Sequence, residues 1–158
     1  MTNPRQPAAR PRLPGTSDGY FHHILVPTDL TERTEKALQL AGRLASRAGA
    51  RITLIHVTET IPELSLDDVK PLYERLERKA RKGMDALTRR ARADAPAAAR
   101  VLVRGRRAEE IVKYAAANEV DLIVLASHRV NPSLVDRDWG TISYKVGILA
   151  QCPVLLVK

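Results

Sequence analysis

Leu125 to Thr141, LASHRVNPSLVDRDWGT, joins an apolar run to a Gly-Thr pair that opens a new helical pattern. A helix start presents backbone N–H groups without intrahelical partners and the positive end of the helix dipole, which together suit a phosphate. Only one glycine, Gly140, lies in the stretch. It therefore reads as a phosphate cradle, a modified cradle, or a loop without that role. A second candidate is Asp29, in HHILVPTD. Its carboxylate could accept from ligand hydroxyls, or cap the next helix with Glu32 three residues on, as in a capping box.

The remaining reactive residues are less concentrated. His22 and His23 could bind a metal only from one face, and adjacent strand residues point to opposite faces. His56 falls inside an apolar run and reads as a core or sheet-end histidine. His128 stands at the mouth of the candidate loop, as a phosphate contact or as a satisfied loop residue. Ser127, Thr141 and Ser143 read as donors or caps. No nucleophile, base and orienting group fall together, and no Walker-type lysine follows a glycine loop. The expectation is a non-catalytic protein, with weak ATP hydrolysis left open.

These residues need elements to hold them. Within HHILVPTD, the apolar run Ile24 to Val26, ending at Pro27, is a short strand buried on both faces. LTERTEKALQLAGRLASRAG is a helix whose stripe is Ala37, Leu40, Ala41, Leu44, Ala45 and Ala48, with Thr31 as N-cap and Gly49 after its end. RITLIHV is the second strand. Val69, Leu72, Leu76, Ala80, Met84, Leu87 and Ala91 mark a long amphipathic helix. RVLVRG, AEEIVKYAAANE, DLIVLA, TISYKVGILAQ and PVLLVK complete an alternation of strand and helix. Apolar strands alternating with helices imply an α/β fold, a parallel sheet with helices on both faces. Ligands in such sheets sit beyond the strands' carboxyl ends, where strand order reverses. The two loops there are Pro27 to Thr31 and Ser127 to Thr141.

Composition narrows the class. The chain has 158 residues, enough for one domain with an aliphatic core. Residues 1–20 are rich in Pro, Arg, Gly and small residues and read as a disordered leader, leaving one domain over 21–158. Cys152 is the only cysteine, which excludes an internal disulfide and a cysteine metal cluster. No apolar run reaches the ~18 residues needed for a membrane span, and no signal-type core opens the chain. A cytoplasmic protein is expected.

The formal charge is +8, and the stretch from Glu74 to Arg107 carries twelve Lys or Arg against four acids. Most such runs are solvated helix faces. This one could also draw an acidic protein partner or nucleic acid. Aromatic residues for base stacking are absent from it, so nucleic acid ranks below protein.

Taken together, ILVPTDLTERTEKAL, ARITLIHV, AEEIVKYAAANEVDLIVLASH and GTISYKV…QCPVLLVK resemble the universal stress protein family, from about Phe21 to Lys158. The resemblance implies a Rossmann-like, adenine nucleotide alpha hydrolase-like fold with an open five-stranded parallel sheet of order 3-2-1-4-5. It implies homodimers in which the last strand, Val154 to Val157, pairs antiparallel with its mate. An apolar edge strand there has its own motive to be covered.

Nucleotide-binding members carry G-x2-G-x9-G-[ST] after the fourth strand and hold ATP or AMP, with Mg only beside ATP. Carried over, Asp29 would meet the adenosine part, with Pro27 and Thr28 beside it, and the Val57 backbone would flank the base. Gly140 and Thr141 would hold phosphate, with Leu125, Ala126, Arg129 and Ile142 completing the site. The departures are specific. Ala126 and Arg129 stand at the first two glycine positions, and ten residues rather than nine separate Arg129 from Gly140. A left-handed backbone at Arg129 would cost roughly 1–2 kcal/mol. Its guanidinium would either fill the phosphate space or pair with a phosphate.

Two functions follow. One is a universal stress protein-like regulatory or stress-protective module that binds an adenine nucleotide at the switch point. The other is an electrostatic module that uses the basic second helix without nucleotide.

Overall fold

In the computed structural model, residues 20–60, 66–128 and 141–158 are described, with side chains in the second segment from residue 70 onward. The expectations for a leader over 1–20, apart from exposed Tyr20, and for Arg129 and Gly140 lie outside these residues. Five strands and four helices alternate among them. They run β1 His23–Pro27, α1 Arg33–Ala48, β2 Arg51–Glu59, α2 Leu66–Asp94, β3 Ala99–Gly105, α3 Arg107–Ala117, β4 Leu122–Ala126, α4 Ile142–Leu149 and β5 Val154–Val157.

All pairings are parallel, in the order β3-β2-β1-β4-β5. This is the expected α/β architecture. β1 is buried at every residue, whereas the edge strands β3 and β5 have no fully buried residue. Burial thus follows each strand's place in the sheet, although β5 at its edge is wholly apolar.

Side chains alternate between two cores, as the period of a strand requires. Ile24, Val26, Ile52, Leu54 and Val124 pack with α1 and α2, around Ala37, Ala41 and Met84. Leu25, Ile55, Val57, Ile123 and Leu125 pack with α3 and α4, around Ile111 and Val146. Small residues on α1 bring that helix close to the sheet.

Both long helices are rotated slightly from the stripes read in sequence. On α1, Thr34, Leu38 and Gly42 are buried, while Leu40, Leu44 and Ala48 are only partly covered. Gly42 explains the turn, because a Cβ there would collide with the Asp94 carboxylate of α2. On α2, Tyr73 is buried and Leu76 exposed. The Arg104 guanidinium lies 5.2 Å from the Tyr73 ring centroid, so a cation–π contact from β3 holds the aromatic inward. Thr31 is not the N-cap either: α1 starts after Glu32, which makes no side-chain cap bond.

At the amino end of the sheet, Asp121 accepts the backbone N–H groups of His22 at 2.8 Å and His23 at 3.0 Å. The two histidines separate as strand geometry demands, His22 exposed and His23 buried. Nδ1 of His23 faces the Asn118 carbonyl at 2.9 Å and the Arg51 guanidinium at 3.0 Å; Nε2 faces the Thr53 hydroxyl at 2.9 Å. A neutral ring serves these partners, but a protonated one would place a second cation beside Arg51.

Burial is the main cause that lowers the His23 pKa, with Arg51 acting the same way against the Asn118 bond and the Asp121 charge. The folded value lies below the unfolded one, so the contribution to stability is intact above about pH 6.5 and is lost as pH falls through the folded value. Urea unfolding at pH 7.5, 6.5 and 5.5 should show wild-type stability falling over this window. His23→Gln should be less stable at pH 7.5 and should flatten the fall. Parallel pH dependences for the two proteins would refute the assignment.

Candidate functional site

β1 and β4 are neighbours, yet β1 passes its chain to α1 on one face of the sheet while β4 leads to α4 on the other. The divergence opens a crevice at their carboxyl ends. A cavity of about 240 Å3 lies there. Pro27, Thr28 and Asp29 line it from the end of β1, Val57 from β2, Leu125 and Ala126 from the end of β4, and Thr141 and Ile142 from the start of α4. Eight of the ten residues singled out in sequence thus share one cavity.

The Asp29 wall is built by a chain of hydrogen bonds. The Thr28 amide donates to the Ile55 carbonyl at 2.9 Å, extending the strand pairing by one residue. The Leu30 amide then donates to Thr28 Oγ1 at 2.9 Å. The Thr34 hydroxyl donates to Asp29 Oδ1 at 3.3 Å, so its proton is committed there. Thr28 must therefore supply the proton in its 2.9 Å bond to Thr34. His56 Nδ1 lies 2.9 Å from the Thr28 carbonyl and donates to it. That is the structural use of a histidine in the second strand.

Asp29 Oδ1 also accepts from the Thr31 amide at 3.0 Å and the Thr31 hydroxyl at 2.6 Å. The carboxylate closes a local turn on Thr31, and a capping box with Glu32 does not form. Burial pushes its pKa up, but the Thr31 bonds, the Arg33 charge and the Thr34 bond outweigh it, and the net direction is down. Asp29 is thus ionised at neutral pH. Oδ2 meets the Arg33 guanidinium at 3.3 Å, a pair whose side chains are well exposed. A ligand hydroxyl can approach that oxygen.

Leu30 has φ 63°, a left-handed backbone rare for a leucine. Its side chain packs toward Gly83 of α2, where a Cβ would come within 3.2 Å of Leu30 Cδ2. The turn that aims Asp29 is thus held by the Thr28 hydroxyl and by a glycine on a distant helix.

Opposite, Thr141 is the N-cap of α4, and its hydroxyl accepts from the Tyr144 amide at 3.3 Å. The first amides of α4 have no intrahelical acceptor, and Ile142 and Ser143 line the cavity. Ile55, Val57, Ile111 and Leu125, members of one apolar cluster, also line the cavity. A flat apolar group fits against them, with hydroxyls toward Asp29 and an anion toward α4. Among the described residues no group of three or more His, Cys, Asp or Glu could hold a metal.

Sequence reasoning missed Arg33, Thr34, Ile55, Arg107 and Ile111 at this cavity. Thr34 had a signal in its position five residues after Asp29, on the first turn of a helix. Arg107 had none, because it opens α3 after β3 and reaches the cavity only through strand order. It pairs with Glu59 at 2.8 Å.

The other sequence candidate, the basic run, is answered by acids in part. Arg78 meets Glu74, Arg90 meets Glu35, Arg100 meets Asp85 and Arg104 meets Glu77. Arg75, Lys79, Lys82 and Arg89 are exposed and have no acidic partner among the described residues. At about 100° per residue they share an arc of roughly 80° over about 21 Å of helix.

The fully buried Thr34 hydroxyl links Thr28 to Asp29, and its removal has a defined cost. Thr34→Val should lower unfolding free energy in urea by about 1–2 kcal/mol, because the Thr28 hydroxyl loses its buried acceptor. A change below about 0.3 kcal/mol would show that the chain of hydroxyls carries no load.

Comparison with known proteins agrees with this fold. The model of the Universal stress protein family matches residues 21–158. A universal stress protein encoded in the QAH/OAS sulfhydrylase 3′ region of Thermus aquaticus is 34% identical over 142 residues, covering 87% of this chain and 99% of that protein. The universal stress protein UspA from Lactobacillus plantarum superposes with a TM-score of 0.76 at 26% identity, covering 87% of this chain and 98% of that one. A universal stress protein solved in complex with cAMP shares the fold, at 21% identity and a TM-score of 0.68, over 87% of this chain and 97% of that one. The chain belongs to the universal stress protein family.

Proposed function

We propose that this protein is a non-catalytic regulatory or stress-protective module that binds an adenine nucleotide, ATP or AMP, between β1 and β4. The observation that carries this is the ionised, hydrogen-bonded Asp29 sharing one cavity with an apolar cluster and the start of α4. Ribose hydroxyls would donate to Asp29 beside Pro27 and Thr28. The base would lie on Val57 and Leu125, and phosphate would meet Thr141 and Ile142 beside Ala126. Arg129 and Gly140 join the proposal from the sequence pattern alone, and Mg would enter only with ATP. The cAMP complex of a protein of the same fold supports a purine nucleotide as the class. A cytoplasmic location belongs to this reading; no helix among the described residues is long and apolar enough to cross a membrane.

Freshly purified protein, denatured, should release an adenine nucleotide, and calorimetry on stripped protein should detect AMP or ATP with magnesium. Asp29→Asn should weaken binding by about tenfold, the loss of one charged hydrogen bond. No released nucleotide, together with no heat or thermal shift at millimolar ligand, would sink the proposal. The competing reading places an acidic partner on Arg75, Lys79, Lys82 and Arg89 of α2. Its signature is a polyanion affinity that falls steeply with salt and ignores Asp29→Asn.

The same reading includes a homodimer through Val154–Val157. Leu155 and Leu156 of that edge strand are exposed, as are Tyr144, Ile148 and Leu149 on α4. A contiguous apolar surface on an unpaired edge favours a second copy over water. Sedimentation at micromolar concentration should give a dimer, and Ile148→Lys, at a site 66% exposed, should shift it toward monomer without lowering the melting temperature. A monomeric wild type would refute the interface.

A further inference from the structure

β5 lies beside β4 with Ala126 opposite Val157, and the Ser127 amide donates to the Val157 carbonyl at 2.7 Å. The pairing therefore continues past both strands and brings Lys158 alongside Ser127 and His128. The Lys158 ammonium donates to Ser127 Oγ at 3.1 Å and to the His128 carbonyl at 2.8 Å. Ser127 is nearly buried, and both Ser127 and His128 line the cavity between β1 and β4.

Charge balance around the cavity gives this contact its meaning. Arg33 is matched by Asp29, and Arg107 by Glu59. Lys158 meets only neutral oxygens, and no acid pairs with it among the described residues. The unmatched positive charge thus sits on the Ser127–His128 side, where the amides of α4 also converge. The Ser127 hydroxyl itself donates to the His128 carbonyl at 3.4 Å, a long bond that a phosphoryl oxygen would displace, and the ammonium on Oγ polarises that hydroxyl as a donor.

We propose that Lys158 is a positioning residue for a phosphate-bearing ligand. Its ammonium ties down the Ser127–His128 segment and turns the Ser127 hydroxyl into a stronger donor toward a phosphoryl oxygen. It supplies, from the neighbouring strand, positive potential at a loop whose first glycine position holds Ala126. The ligand class this favours is a nucleoside with a compact phosphate, over the bare nucleoside. The inference rests on the nucleotide reading above.

The test separates the two. Stripped wild-type protein, Lys158→Met and Lys158→Arg are titrated calorimetrically with adenosine and with AMP at low salt, and their melting temperatures are measured. The expected result is an AMP affinity about tenfold lower in Lys158→Met, adenosine affinity unchanged, and most of the AMP affinity restored in Lys158→Arg. Equal weakening of both ligands would mean that the lysine only props the loop, and no change in either would mean that it does nothing for phosphate; each overturns the proposal while the nucleotide reading stands. Wild-type protein that binds neither adenosine nor AMP overturns both.

Discussion

Every residue of β1 is buried, so the polar groups this strand must satisfy or present emerge only at its two ends. The rest of the molecule is arranged around that constraint. At the amino end Asp121 takes the His22 and His23 amides, and the His23 ring fills the space between Thr53 and Asn118. At the carboxyl end the ladder runs on to the Thr28 amide before the chain turns. Asp29 is then the first side chain of that connection able to reach a ligand. Because β4 leads to the opposite face, the turn opens on a crevice and not on a packed helix.

Charge is handled by pairing more than by exclusion. The +8 of the chain looks like a polyanion surface when read along α2. In space, arginines of α2 and β3 meet Glu35, Asp85 and Glu77, so part of the basic run ties α2 to α1 and to the edge strand β3. Exposed pairs of this kind contribute about 0–1 kcal/mol each. Their larger effect is on the field, which they reduce on the inward flanks of α2 while an outward arc keeps its charge. The same pattern recurs at the cavity, where Asp29 with Arg33 and Glu59 with Arg107 are nearly neutral units.

Element order was legible because the central strands are apolar throughout and the helices keep a clear period. Helix facing was less so. Leu76 and Tyr73 lie three residues apart on α2, and the periodic count favours leucine; the tyrosine is inside because Arg104 comes over its ring from β3. Gly42 lies outside the α1 stripe read in sequence, yet it is buried, and a Cβ there would meet the Asp94 carboxylate of α2. At the site, Pro27 to Asp29 and Thr141 were legible because carboxyl-end loops are defined by chain order. Arg107 was not, since its approach depends on β2 lying between β3 and β1. Strand order is a tertiary fact that no local pattern carries, and here it entered only through family resemblance.

Glycine is used at this site from outside the loop that would hold phosphate. Leu30 keeps a left-handed backbone at a cost of roughly 1–2 kcal/mol, against the Thr28 bond and its packing on α2. That packing exists because Gly83 has no side chain: any Cβ there would press on Leu30 at 3.2–3.4 Å. Relief of that pressure by rotating Leu30 would loosen the turn that aims Asp29, because Leu30 sits between Asp29 and Thr31 in the same five-residue connection. The aim of the carboxylate is therefore set partly by α2, a helix whose residues do not line the cavity. In the proposed nucleotide site, Gly83 supports the turn on the Asp29 side from outside, while Ala126 stands at the first glycine position of the family pattern on the other. Gly83 thus joins α2, the helix that carries the outward charge, to the turn that holds Asp29.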